Sequence, residues 1–381
     1  MKQKLAKTLT IFVILATLSY LFPLCLSDGY ALSYKLLDRP DGSQEYTLNV
    51  AIPQSLYEYY RDKDHKLSSA QNFAKFVTPY ALKPIADKLL EIYRGDEENF
   101  ANGVLMIVHQ IPYSVTKSAK YPVETMVENS GDCDLLSYIA ASIMKAGGLD
   151  VVLLYYESKA HMNVGVHLSR VPRDARNGVS YVTYKGVRYY MAECTGGEWE
   201  DGWRVGECPS DLKYEETQVI PLENCEQWAP GQVSASYKTL NYSTIMLEAS
   251  STLVFQGSTV TLSGQLSPNL PNEIITIYVK TGTSSWKSLT TVKTDSNGKF
   301  TLFLNANETG VYYIRASWSG NSDYLGTDSP IISITALSML FTVFLAAAIA
   351  LICTGAVAFL MTRKKYSTIS EEEQIPEVPS V

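Results

Sequence analysis

Two uncharged segments bracket this chain and limit where its middle can fold. Residues 336–361 contain no charged side chain and run directly into Arg363, Lys364 and Lys365. About 20 apolar residues suffice to cross roughly 30 Å of hydrocarbon, and basic residues stay on the cytoplasmic side. The expectation is a C-terminal transmembrane helix over 336–361 and a short cytoplasmic tail over 362–381, whose Glu371, Glu372, Glu373, Pro376 and Pro379 suit a disordered segment. At the other end Lys2, Lys4 and Lys7 precede an uncharged run over 8–26. This is the pattern of a signal peptide or signal anchor within residues 1–31, with removal favoured over retention. Either outcome places the main domains on the outer side of the cell membrane. The sequons at Asn241 and Asn307 permit glycosylation there.

Between these ends the composition is that of a globular protein. The 381 residues are 46% hydrophobic, enough for two or three domains with cores. A net charge of -7 argues against nucleic acid as a partner, because such affinity rests on clustered Lys and Arg. Six cysteines are too few for a disulfide-dense scaffold, and four histidines leave little material for a metal site. Cys194, Cys208 and Cys225 lack a Cys-x-x-Cys knuckle, so no metal is expected. A disulfide between Cys208 and Cys225 stays open beside two free thiols.

The texture changes near residue 236. Over 32–235 amphipathic stretches at 71–93 and 97–110 suggest helices, with Pro84 kinking or dividing the first. A helix starting near Cys133 follows, then an apolar run at 151–156 and alternating stretches at 161–168, 179–184 and 187–194. Lys185 and Gly186 close a hairpin between the last two. The predicted class is α+β, with helices first and an antiparallel sheet after them. Over 236–335 the chain reads as a Ser/Thr-rich series of short strands, an all-β sandwich. Gly310, Tyr312, Ile314 and Ala316 resemble the late strand of immunoglobulin-like domains with its tyrosine corner.

One segment carries chemistry. Asp132 is a natural N-cap, and Leu135, Leu136, Ile139, Ala140, Ile143 and Met144 recur at helical spacing behind it until Gly147 and Gly148. Cys133 then lies in a first helical turn, where unpaired N–H groups and the helix dipole favour a thiolate. His161 opens an alternating strand, and a histidine beside a thiol can take its proton and return one to a leaving group. Glu193 ends another strand on the face of Val187, Tyr189 and Met191, an odd place for a carboxylate without a partner. His167 shares the face of His161 but sits about 20 Å along the strand. His109 reads as a packing or surface residue.

These blocks, YPVETMVENSGDCDLL, HMNVGVHL and YYMAECTG with WRVGE, resemble the transglutaminase-like papain-fold superfamily over about residues 99–207. The resemblance implies a papain-like domain with Cys133 as nucleophile, His161 as base and acid, and Glu193 as the orienting carboxylate. It implies a thioester mechanism on amide or peptide acyl groups, a protein or peptide substrate at the cell surface, and no organic cofactor. Gln110 is a candidate oxyanion donor or a structural glutamine, and Trp203 a candidate shield or substrate contact or a packed tryptophan. The sequence departs from the family in having Glu193 where Asp is usual and Asn163 where Trp is frequent. A second reading stays open, in which an inactive domain of this kind and an immunoglobulin-like domain serve adhesion or assembly at the cell envelope.

Overall fold

A β-hairpin, not a helix, opens the described chain. The computed structural model describes residues 29–372, so the signal segment ahead of residue 29 and the tail after 372 lie outside the described residues. Strands β1 (Tyr30–Leu37) and β2 (Glu45–Ile52) pair antiparallel from Tyr30↔Ile52 to Leu37↔Glu45. Tyr34 and Leu36 on one strand and Leu48, Val50 and Ile52 on the other are buried by the period-2 rule. Strand β8 (Ser234–Ser236) joins the free edge of β2 and closes a three-stranded sheet. Helices α1 (Gln54–Arg61), α2 (Pro79–Tyr93), α3 (Glu97–Val108) and α4 (Pro122–Glu128) follow the hairpin.

Pro84 does not divide α2. It lies inside a continuous helix, and the missing N–H leaves the carbonyl of Tyr80, four residues back, without its usual donor. Gln232 Nε2 donates to that carbonyl at 2.9 Å. Helix α5 (Cys133–Ala146) is the centre of the first unit, with nearly every residue buried. It packs on one face of an antiparallel sheet of β3 (Asp150–Tyr156), β4 (His161–His167), β5 (Tyr181–Tyr184), β6 (Val187–Ala192) and β7 (Gln218–Pro221), in the order β5-β6-β4-β3-β7. Val151, Leu153, Val164 and Ala192 face the helices, while Val152, Leu154, Tyr189 and Met191 build a separate cluster on the other side. The β5–β6 turn is Lys185–Gly186, both at positive φ, the geometry that suits a two-residue hairpin.

The remaining strands form two sheets around one core. The order is β10 (Leu253–Phe255), β17 (Ile332–Leu337), β15 (Gly310–Gly320), β12 (Ile274–Thr281) and β13 (Lys287–Lys293), with β16 (Leu325–Asp328) on β15, against β14 (Lys299–Asn305), β11 (Thr259–Ser267) and β9 (Thr244–Ala249). Ile277, Ile314, Ala316 and Trp318 meet Val260, Leu262 and Phe300 between them. The Tyr312 hydroxyl donates to the Glu308 carbonyl at 2.9 Å and accepts from its N–H at 2.8 Å, tying the chain before β15 (Gly310–Gly320) to that strand.

The expected class, a helix-first papain-like α+β domain with a sandwich and a spanning helix, is corrected on two counts. Strand outweighs helix, 34% against 26%, and the alternation at residues 30–37 and 45–52 makes a sheet ahead of the helices. Among the described residues no helix is long and apolar enough to cross a membrane. Helix α6 (Met339–Glu372) carries on from the uncharged run through Arg363, Lys364 and Lys365.

The two units meet through α1. The Arg315 guanidinium lies 2.8 Å from the Glu58 carboxylate and 4.3 Å from the centre of the Trp286 ring. Ser55 and Ser317 hydroxyls bond at 2.7 Å. Arg315 is buried, so Arg315→Ala leaves Glu58 facing a low-dielectric contact without its counter-charge. The expected cost is about 3 kcal/mol, read as a lower denaturation midpoint at neutral pH.

Candidate active site

Asp132 occupies the N-cap position of α5 but does not cap it. Its extended backbone starts the helix, while its carboxylate turns away and accepts from Thr116 N–H at 2.8 Å and Thr116 Oγ1 at 2.7 Å. The amides of the first turn therefore receive no bond from that side chain. Cys133 is the first helical residue, 8% exposed, with Sγ 3.8 Å from the Ala160 carbonyl. Asp134 follows it in the same turn. Burial and a proton shared with Asp132 push the Asp134 carboxyl up to about 7.

His161 is the first residue of β4, directly after Ala160, whose positive φ ends a short turn. Its Nε2 lies 3.0 Å from Glu193 Oε2, which leaves Nδ1 for the thiol. Burial alone lowers this imidazole. Hydrogen bonds to Cys133 and Glu193, with their charges, outweigh burial and raise the group to about 10. Glu193 follows β6 and is 1% exposed. Its Oε1 accepts from Thr195 N–H at 2.9 Å and Thr195 Oγ1 at 2.6 Å, and its Oε2 accepts from Asn163 Nδ2 at 3.4 Å as well as from His161. Burial opposes its charge, but the bonds from His161 and Thr195 hold its carboxyl below the ordinary range.

The structure thus brings Cys133, His161 and Glu193 into one connected cluster. Asn163 belongs to it through its amide. His109 belongs as well, because its Nε2 donates to the Glu193 carbonyl at 3.0 Å. Burial lowers the His109 ring, so it stays neutral in that role. A Cβ at Gly202 would lie 2.3 Å from His109 Nδ1, so only glycine leaves the ring this position. Cys194, next to Glu193, points to the core, where burial pushes its thiol up. A neighbour in sequence is therefore kept out of the chemistry by the alternation of the strand.

Other candidates lie elsewhere. Gln110 is spent on structure: its Oε1 accepts from Lys35 N–H at 2.8 Å, and its Nε2 donates to the carbonyls of Lys35 and Met106, both at 2.8 Å. It clamps β1 to the end of α3. Trp203 lines a small recess with His109, Met106 and Trp199, its indole facing Gly196. Cys208 and Cys225 are free thiols. Cys208 packs with the cluster on the outer face of the sheet and Cys225 with the helical core, so the sheet separates them. Asn241 and Asn307 are exposed on the two-sheet unit, and the Asn241 amide nitrogen is bonded to the Asp323 carbonyl at 3.1 Å. His167 lies at the far end of β4, bonded to the Arg188 carbonyl at 3.0 Å. Among the described residues no His, Cys, Asp and Glu group is arranged to hold a metal ion.

Tyr113 is, with His109, a residue that sequence reasoning missed. It is 56% exposed, yet partial burial and the neighbouring Cys133, Asp132, Asp134 and Glu193 raise its phenol, which stays a proton donor. No period marks it, because it stands in an irregular segment joined to Gly131 by one isolated bridge.

No family model matches the chain, and no curated protein is similar to it. One solved structure, titled "Structural basis of T cell specificity and activation by the bacterial superantigen toxic shock syndrome toxin-1", is 16% identical over 25% of this chain and 99% of that chain. Its TM-score is 0.20, a likeness too loose to bear on fold or function.

Proposed function

We propose that the protein is a cysteine-dependent enzyme of the transglutaminase-like class, acting on amide or peptide acyl groups through a thioester. The observation that carries this reading is His161 held between the Cys133 thiol and a buried Glu193 carboxylate. Such an imidazole stabilises a thiolate as its ion-pair partner and keeps a proton for the leaving group.

The steps follow from these groups. The Cys133 thiolate forms a C–S bond to the substrate carbonyl, and negative charge moves to the carbonyl oxygen. The Cys133 backbone N–H, in a first helical turn that the Asp132 side chain does not cap, is the donor for that position. The C–N bond breaks as His161 gives its proton to the departing nitrogen. A water molecule then attacks the thioester while His161, now neutral, takes its proton. The C–S bond breaks, the acid leaves, and thiolate and imidazolium are restored. An amine in place of water gives transfer instead of hydrolysis.

Alkylation tests the reading without knowledge of the substrate. Iodoacetamide at pH 7 is expected to modify Cys133 about tenfold faster than an ordinary cysteine peptide, with His161→Ala removing the excess. Equal rates in wild type and His161→Ala, measured by intact mass, would show that the pair is not catalytic.

A further inference from the structure

We propose that the segment from Pro112 to Thr116 is the substrate strand of this site and takes the acyl-donor polypeptide as an added β-strand along its outer edge. The inference rests on the cysteine-enzyme reading above and names its substrate class, an extended polypeptide.

The hydrogen bonds of the segment alternate. Gly131 N–H donates to the Pro112 carbonyl at 3.2 Å, and Ser114 N–H donates to the Gly131 carbonyl at 2.8 Å. Thr116 N–H donates to the Asp132 carboxylate at 2.8 Å. Residues 112, 114 and 116 thus direct their main chain inward, towards the stretch that leads into Cys133. In extended chain the next residues face the other way, so Tyr113 and Val115 direct N–H and C=O outward. Among the described residues no group bonds to the main chain of either.

This outward edge is open. Residues 112–115 are all exposed, Val115 by 80%. An unpaired strand edge is a template for another extended chain, with main-chain bonds supplying affinity. Its place makes it a substrate edge: Gly131 is two residues before the nucleophile, and the Tyr113 phenol is within electrostatic reach of Cys133 and Glu193. Asp132 has a matching role. By bonding Thr116 in place of its own helix, it ties the segment to the start of α5.

The test uses the intact protein and a blocked tetrapeptide chloromethyl ketone, whose chloride the Cys133 sulfur displaces. A series carries one N-methyl group at each successive residue. Methylation of one alternate set is expected to slow labelling about tenfold, and of the other set less than about threefold, because each outward bond lost costs roughly one hydrogen bond. Val115→Pro, which removes one outward N–H and spares the inward bonds of Ser114 and Thr116, is expected to slow the unmethylated reagent about tenfold. A flat series, or a folded Val115→Pro that labels at the wild-type rate, overturns the strand inference. The methylated series uses wild-type protein, so it decides the matter even where Val115→Pro does not fold. Iodoacetamide on the same wild-type sample separates the two claims. Fast alkylation with a flat series removes the substrate strand alone, and alkylation no faster than an ordinary thiol removes the enzyme reading and the strand with it.

Discussion

Glu193→Gln is expected to lower turnover of a peptide amide by about a thousandfold or more in a protein that still folds, measured as kcat and checked by a cooperative unfolding transition. The substitution keeps shape and volume, so its effect isolates charge and hydrogen-bond polarity. Four donors converge on this carboxylate, from His161, Asn163, Thr195 N–H and the Thr195 hydroxyl. A carboxylate can accept all four, whereas an amide presents donors at one end. With its NH2 towards Thr195, the amide opposes a main-chain N–H that cannot turn away. With its NH2 towards His161, it forces Nε2 to accept and Nδ1 to carry the proton towards Cys133. That tautomer cannot take the thiol's proton. The loss of a negative charge also removes one of the two partners that raise His161 to about 10. A Glu193→Gln protein as active as wild type would mean that the carboxylate serves packing alone.

How much of this site was legible in the sequence follows from the reach of local pattern. The start of α5 at Cys133 was readable because the apolar spacing from Leu135 to Met144 and the double glycine after it fix one helix. The faces of β4 and β6 followed from alternation, which put Glu193 and Cys194 on opposite sides. What failed depended on contacts distant in sequence. Gln110 reads as a polar residue near a catalytic segment, and only the arrival of β1, 75 residues earlier, shows that its amide is already paired. The hairpin of β1 and β2 alternated as plainly as the later strands, but its role depended on β8 closing the sheet from residue 234. Cys208 and Cys225 looked close enough in sequence to pair, and the sheet between them is invisible to spacing. His109 and Tyr113 stand at helix ends and in irregular chain, where no period assigns a face.

Cys133→Ala has the larger effect on chemistry and a second effect that a merely inert protein would not show. Without a sulfur no thioester forms, and turnover is expected to fall by about 10⁴-fold or more. The histidine should respond too. The thiol is one of two hydrogen-bond partners raising His161, and burial opposes both. Removing it is expected to bring the imidazole down from about 10 while Glu193 keeps it charged below that, read by proton NMR of the ring. The sign for stability follows. A histidine raised from its ordinary 6.5 to about 10 stabilises the folded state fully below 6.5, and the contribution is lost as pH rises towards 10. The difference in unfolding midpoint between wild type and Cys133→Ala should therefore shrink across that interval. A His161 titration that does not move in Cys133→Ala would show that the two side chains do not interact, and the nucleophile and base would have to be sought apart.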